Sequence, residues 1–525
     1  MIDKKILRFE LFRHIDGIAL IAPITAIFKK DTKLHNLLRK KQEFTISNNN
    51  VEIESINGDY LNVTLRLFES QGWLKRYLND KQSINITPTD EGIDIFNNSS
   101  VYSEFFIYFN FLKKLNFYNS DTYIDLNKLL NQFDNLIKRH SNQIVIKHIE
   151  GLIIGSTLVS IGMNKILEID KNKKLFFNKK ISNENQKIIK RIFQTFKFID
   201  ENGRMTEKGI FFYKRSAAYG VTVSYMPLFS KIETLLFNDT SNILKRDKSG
   251  NELHVNRKMN VWGSGGAHKL YFKKIDEIVL EIFNRPIGLQ PQGLADMGCG
   301  DGTLLIHLHD LIVKKTSRGK NLDKYPLQII GADFNEEALE VTGINLKKNN
   351  INHFLVKADI GNPTNFNKEL EKKHNIKLND LLSVRSFLDH NRIFEMPKLD
   401  NFDLRKITTK STAAFCCNEN NKIYEPIIFK VSLIEHFMKW KPFISKYGLI
   451  LLELHTINPN LCRNNIGKTL ATAYDATHGY SNQYIIEYED FIDAARIAGL
   501  ENDKMFEFNF PKKELTTVSI NLFST

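Results

Sequence analysis

Residues 293–302 read Gly293-Leu-Ala-Asp-Met-Gly-Cys-Gly-Asp-Gly302, and this stretch decides the fold of the C-terminal half. Its first residues form a short apolar strand, and the residues after it, 303–312, have helical periodicity. Gly298, Gly300 and Gly302 let the backbone turn sharply and allow a ligand to come close. A dinucleotide loop reads G-x-G-x-x-G, which brings a pyrophosphate onto the helix N-terminus. Here the spacing is G-x-G-x-G around Cys299, with carboxylates at Asp296 and Asp301. Negative charge disfavours a pyrophosphate and suits an ammonium and a sulfonium. The expected cofactor is therefore S-adenosyl-L-methionine rather than NAD.

Outward from this loop, apolar runs at 327–333, 352–357, 381–387 and 448–454 alternate with helical patterns, and a last pair at 505–510 and 516–523 ends the chain. Five crossover strands plus a terminal hairpin predict an α/β fold, the class I methyltransferase doubly wound sheet of seven strands. The second strand ends at Asp333, placed to accept both ribose hydroxyls. The third ends at Asp359, placed to accept from the adenine amino group. Asp333 before NEEALE also reads as a helix cap. Three acids at the carboxyl ends of three successive strands exceed what capping accounts for. Phe334, Ile360 and Ser386, beside these strand ends, are assigned to the same pocket. Gly263, Gly265 and Gly266, with Trp262 and Ser264, read equally as a loop over the cofactor's methionine end or as an interdomain turn.

Class I folds react substrates outside the carboxyl ends of the fourth and fifth strands. The fourth runs into VRSFLDHNR (384–392), the fifth into ELHT (453–456), and a polar cluster follows at YDATHGYSNQ (474–483). His390, His455 and His478 are thus expected in one crevice, with Asp389 beside them. Three imidazoles suit a metal site as well as they suit general-base chemistry, and the two readings stand level.

Before Arg246 the chain alternates amphipathic helices with short turns. Residues 61–77 lead through ITPTDEGIDIF, and residues 187–199 lead through DENGRMTEKGIFFY. Each is a helix, a short hairpin and a Thr-x-x-Gly turn, Thr89 to Gly92 and Thr206 to Gly209, which is the pattern of a winged helix. The expected divisions are a winged-helix-like unit over 1–105, a helical second winged-helix-like lid or regulatory region over 106–245, and the methyltransferase domain over 246–525. The helix at 61–77 carries Leu61, Val63, Leu65, Leu67, Phe68, Trp73 and Leu74 with few cations, so packing is favoured over reading DNA.

Lys and Arg exceed Asp and Glu by 73 to 60, a net charge of +13, which admits an acidic partner; the lysines are nonetheless scattered, so compositional bias is the stronger reading. The four cysteines, Cys299, Cys416, Cys417 and Cys462, have neither finger spacing nor a disulfide framework. Apolar stretches at 18–28 and 144–163 are respectively too short and too polar for membrane spans, so both are expected to be buried helices. With no secretory signal read at the N-terminus, a cytoplasmic location is expected.

The segments GSGGAHKLYF, QPQGLADMGCGDGTLL, GADFNEEAL, VRSFLDHNR, LLELHTI and AYDATHGYSNQYIIE together resemble the C-methyltransferases of apratoxin-type polyketide loading modules and their stand-alone relatives. The resemblance spans roughly residues 226–500 and rests most on VRSFLDHNR and AYDATHGY; in the N-terminal half it rests on NVTLRLFESQGWL. It implies a helical N-terminal regulatory or lid region, methylation of an acyl-thioester carbon, and a mononuclear metal, iron or manganese, involving His390 and His455. On that reading the metal chelates a 1,3-dicarbonyl such as a malonyl thioester, and His478 or Asp389 removes the proton. No fused acyltransferase-like or carrier domain is read, so the substrate stays open between a small molecule and a carrier-bound acyl group. Two other classes stand as alternatives. One is O- or N-methylation of a small metabolite, with the winged units as the platform of a homodimer. The other, less favoured, is a nucleic-acid-binding regulator.

Overall fold

The computed structural model describes residues 3–29, 32–47, 56–79, 83–245, 252–417 and 422–525. They form two compact units. The first comprises Met1–Gly266 with two returning segments, Ala414–Tyr424 and Asn458–Asn482; the second comprises Ala267–Ala413, Glu425–Ile457 and Gln483–Thr525. The two expected N-terminal divisions thus fold as one unit, and it takes in the AYDATHGY segment from the C-terminal half.

The second unit is built on one sheet. Its strands are β1 (Gly293–Met297), β2 (Gln328–Asp333), β3 (Phe354–Lys357), β4 (Leu382–Ser386), β5 (Leu449–Leu454), β6 (Glu501–Asn502), β7 (Phe508–Phe510) and β8 (Val518–Ser524). The order across the sheet is β6-β8-β5-β4-β1-β2-β3, with β7 also paired to β8. Strands β1 to β5 run parallel and β8 is antiparallel to β5. The central strands β1 and β5 are buried along their whole length, as parallel strands covered on both faces must be. Eight strands stand where seven were expected, because the two-residue β6 adds to the β8 edge. The order reverses between β1 and β4, which opens a crevice at their carboxyl ends.

In the first unit, helices Lys4–Lys29 and Gln143–Asn164 pack against each other through glycines. A Cβ on Gly17 would lie 2.4 Å from His148 Cα, and one on Gly151 would lie 2.4 Å from the His14 carbonyl oxygen. Both helices are long and apolar enough to cross a membrane, but 94% and 89% of their apolar windows are buried within the protein. The two Thr-x-x-Gly turns superpose in chemistry. Thr89 caps the Gly92 N–H and Thr206 caps the Gly209 N–H. Their own N–H groups donate to the Trp73 and Phe198 carbonyls at 3.0 and 2.9 Å. A Cβ on Gly92 or Gly209 would strike those same carbonyl oxygens, at 1.8 and 2.2 Å.

The helix Gly58–Ser70, the candidate reading helix of the first winged unit, is buried along almost all of its length. It packs on helix Ala471–Gly479. Arg66 Nε donates to Asp475 Oδ2 at 2.9 Å, the Thr64 and Tyr480 hydroxyls meet at 2.6 Å, and Ser70 and Gln71 both bond to Thr472. This helix is core.

The glycines near 263 lie in neither a loop nor a turn. They fall inside the helix Arg257–Phe283. A Cβ on Gly263 would sit 2.6 Å from Val221 N and 2.8 Å from Gly220 Cα, so the glycine permits close approach to helix Ser216–Ser224.

Candidate active site

The glycine loop after β1 adopts the conformation its sequence demands. Gly298, Gly300 and Gly302 have φ of +77°, +57° and +79°, where a side chain is strained. Side chains would also meet Leu388 at 298, 3.0 Å away, and Thr342 at 302, 3.1 Å away. The loop is tied to β2 by Gly298 N–H and Cys299 N–H, which both donate to the Ala332 carbonyl. Gly300 N–H donates to Asp333 Oδ2 at 3.2 Å. Asp301 Oδ1 accepts from Thr303 N–H two residues on, so this carboxylate is held in its own turn just before the helix Thr303–Lys315. Cys299 is buried, and burial pushes its thiol up to about 12; it is an inert packing residue.

Asp296 is buried with Oδ1 lacking any partner. Burial, and then the neighbouring Asp333, push its carboxyl up to about 8. An orphaned buried acid beside a second acid is a site short of a cation or a donor, which is what the ammonium and sulfonium of S-adenosylmethionine supply. These residues fit the cofactor. Farther along the strand ends, Asp333 Oδ1 accepts from Asn335 N–H at 2.9 Å and Asp359 Oδ1 from Gly361 N–H at 2.8 Å. Phe334 is exposed, the Ile360 carbonyl holds Trp440 Nε1 at 2.8 Å, and the buried Ser386 Oγ lacks a partner.

At the end of β4, Phe387 takes a φ of +54°, uncommon for a bulky residue, and its N–H donates to the Leu452 carbonyl at 2.7 Å. This twist brings the turn Asp389–Asn391 up to β5. His390 Nδ1 lies 2.5 Å from Glu453 Oε1, and His390 N–H donates to Glu453 Oε2 at 3.1 Å. Both residues are buried. One carboxylate therefore fixes the ring and the turn that carries it, and holds the tautomer with its proton on Nδ1.

Asp389 has a different setting from the one expected of a base. It is 1% exposed, with Oδ1 at 2.9 Å from both Arg385 Nη2 and His436 Nε2. Burial alone would raise its carboxyl, but Arg385 and then His436 hold it below the usual carboxylate range. The Arg385 contact is coulombic, because its guanidinium makes no aligned hydrogen bond. The guanidinium stacks 4.4 Å over the Trp440 ring. Asp389 is a structural anion that pins the turn.

His455 is fully buried, edge-on to Tyr488 and Phe491, with Nε2 at 2.8 Å from Ser519 Oγ. Burial pushes its imidazole down to about 3, so it is neutral. His390 has its Nδ1 committed to Glu453. Among the described residues no three His, Cys, Asp or Glu side chains gather as a metal site. The two histidines expected at a metal each bond through one nitrogen, His390 to Glu453 and His455 to Ser519. His478 belongs to the first unit, on the helix Ala471–Gly479. Its Nδ1 lies 2.8 Å from the Tyr474 carbonyl and 2.9 Å from Thr477 Oγ1.

Reasoning from sequence alone leaves Glu453, Arg385 and His436 without a role. A signal for Glu453 was present: it is the one charged residue in the strand LILLEL, whose other members are all apolar and buried.

Three family models match the chain. One described as the AprA N-terminal domain covers residues 7–76, one described as the AprA winged helix domain covers 150–239, and one described as the AprA MT2-like domain, a methyltransferase model, covers 252–521. No curated protein matches. Similar solved structures include an O-methyltransferase family protein from Burkholderia thailandensis, at 11% identity and TM-score 0.34, covering 77% of this chain and 93% of that one. The mitomycin 7-O-methyltransferase MmcR is 8% identical with TM-score 0.32, covering 82% and 96%. The S-adenosylmethionine-dependent methyltransferase SibL is 12% identical with TM-score 0.29, covering 77% and 96%. Likeness this distant says nothing of the acceptor.

Proposed function

The chain belongs to the AprA MT2-like family and is an S-adenosylmethionine-dependent methyltransferase; from that premise we propose that it methylates the acidic carbon of an acyl-thioester or 1,3-dicarbonyl substrate, with His390 as the base. The observation that carries this reading is the His390–Glu453 pair at the carboxyl ends of β4 and β5. With Nδ1–H directed at Glu453, Nε2 is the nitrogen that takes the proton. When bound, S-adenosylmethionine supplies an electrophilic methyl group. His390 would remove the proton from the carbon between the two carbonyls, and the electron pair of that C–H bond would become the new C–C bond as the methyl's bond to sulfur breaks, its electron pair staying on sulfur in the departing S-adenosylhomocysteine. The imidazolium formed is held by Glu453. Asp389 keeps the turn in place through Arg385 and His436, so the base is positioned before substrate arrives. The cofactor is held by the glycine loop with Asp296, Asp333 and Asp359 around it.

O-methylation of a small metabolite is the second reading. The same pair can take a proton from a hydroxyl as readily as from a carbon acid. An acceptor panel separates the two. The protein is incubated with labelled cofactor and, in parallel, a malonyl thioester, a β-keto thioester, a phenol and an amine, and products are read by mass spectrometry. Label in the acyl chain is expected; label only on the phenol or the amine contradicts the proposal.

A further inference from the structure

The net charge of +13 is distributed unevenly. In the second unit Lys and Arg equal Asp and Glu in number, so the excess lies wholly in the first. Within that unit it concentrates between Lys165 and Arg215, which hold fourteen Lys and Arg against six Asp and Glu. This stretch folds as a short hairpin, Leu167–Ile169 with Leu175–Phe177, followed by the helix Asn183–Thr195. Lys171 and Lys174 flank the hairpin turn, Lys179 and Lys180 link it to the helix, and Lys187 and Lys190 lie one turn apart on the helix; all six are exposed. None of the six has a carboxylate partner among the described residues. Lys190 Nζ lies 5.8 Å over the Phe177 ring, which joins the helix to the hairpin as one surface. Phe176, the next residue back on the strand, is a large apolar side chain left 56% exposed. Two of the local acids are turned inward to their own turns: Asp170 accepts from Asn172 and Lys174 N–H, and Asp200 from Asn202 and Arg204 N–H.

We propose that this lysine-rich surface of the hairpin and helix docks an acidic protein that carries the acyl substrate as a thioester. This rests on the acyl-thioester reading above. Unpaired lysines match an acidic protein surface, because complementary charge steers and orients association. Duplex DNA fits less well. Exposed Glu184 begins the helix and exposed Glu201 lies at the wing tip, which sets carboxylates where a winged helix meets phosphates. The helix of the other winged unit is buried.

The test compares the full chain with a variant carrying Lys179→Glu, Lys180→Glu, Lys187→Glu and Lys190→Glu. All four positions are exposed, so the fold is expected to tolerate them, and far-UV circular dichroism checks it. The probe is an acidic acyl-carrier domain loaded with a malonyl thioester, labelled for anisotropy. Wild type should bind it with strong salt dependence, and the variant should bind at least about tenfold more weakly with the salt dependence reduced. In the methylation assay the variant should lose a similar factor in kcat/KM on the carrier-bound thioester and nothing on the same thioester of free pantetheine. Absence of carrier binding by the wild type overturns the docking proposal, as does equal loss on both substrates. Tight binding of a short DNA duplex by the wild type, lost in the variant, overturns it in favour of nucleic acid. Carrier binding without methylation of either thioester would leave the docking surface standing and refute the acyl-thioester function.

Discussion

Glu453 grips His390 twice, at the ring through Oε1 at 2.5 Å and at the backbone N–H through Oε2 at 3.1 Å. Two parallel strands bring them together: β4 ends three residues before Asp389, and β5 presents Glu453 from its penultimate position. The carboxylate is buried, so its negative charge acts on the imidazole it faces with little screening by water. A base that must become an imidazolium gains from that charge, and its orientation is set before substrate binds.

Replacing His390 by Ala should lower kcat by about 10²–10⁴-fold, the usual contribution of a general base. Glu453→Gln should cost up to about 10⁴-fold, because the amide can neither hold the proton on Nδ1 nor favour the imidazolium. Both should leave cofactor affinity within about twofold of wild type, since neither residue is in the glycine loop. Isothermal titration with the cofactor product, alongside single-turnover rates, reads the two effects separately.

Cofactor binding should depend on pH through Asp296. Burial and Asp333 raise its carboxyl to about 8, so the folded, empty protein holds a proton there that an unfolded chain releases. A cationic ligand favours the ionised form. Binding therefore releases a proton below that value, and affinity rises with pH, by at most about tenfold per unit, until it levels off above it. Asp296→Asn should weaken binding and flatten this dependence. A wild-type affinity that falls as pH rises from 6 to 8 contradicts this assignment.

The fold of the C-terminal half was legible because its information is local. A loop of three glycines with positive φ, five apolar strands and acids at strand ends all lie within short windows of sequence. The site was half legible for the same reason. His390 could be placed at a strand end, but its partner is 63 residues away, and nothing in the spacing distinguishes Glu453 from His455 as the side chain that reaches it. Asp389 reads as a base until Arg385 and His436 are seen to close on it. The glycines near 263 read as a loop because their purpose, contact with Gly220 and Val221, is tertiary. The AYDATHGY segment shows the limit most clearly: sequence order assigns it to the C-terminal domain, while Arg66, Thr64 and Ser70 hold it in the first unit.

That capture should be measurable as stability. The side chains of Arg66 and Asp475 are 1% and 6% exposed. Arg66→Met removes the buried guanidinium that donates to Asp475 and should destabilise the first unit by up to about 3–5 kcal/mol. The double replacement Arg66→Met with Asp475→Leu should recover much of the loss, because both charges are then removed. Denaturant unfolding of the full chain checks both. If the single replacement is silent, the returning segment is not held as described.

Gly263 offers a discriminating replacement. Gly263→Val should crowd the Gly220–Val221 backbone and cost about 1–3 kcal/mol or more. A loop over the cofactor would instead lose cofactor affinity with little change in unfolding. Thermal unfolding measured with and without the cofactor product separates the two.

The most direct test of the central claim is product analysis with ¹³C-methyl-labelled S-adenosylmethionine and a malonyl thioester, read by carbon NMR and mass spectrometry. The account predicts a new ¹³C–C bond at the carbon between the two carbonyls with wild type and its loss with His390→Ala. Label found on oxygen or nitrogen, or carbon methylation that survives His390→Ala undiminished, would contradict it.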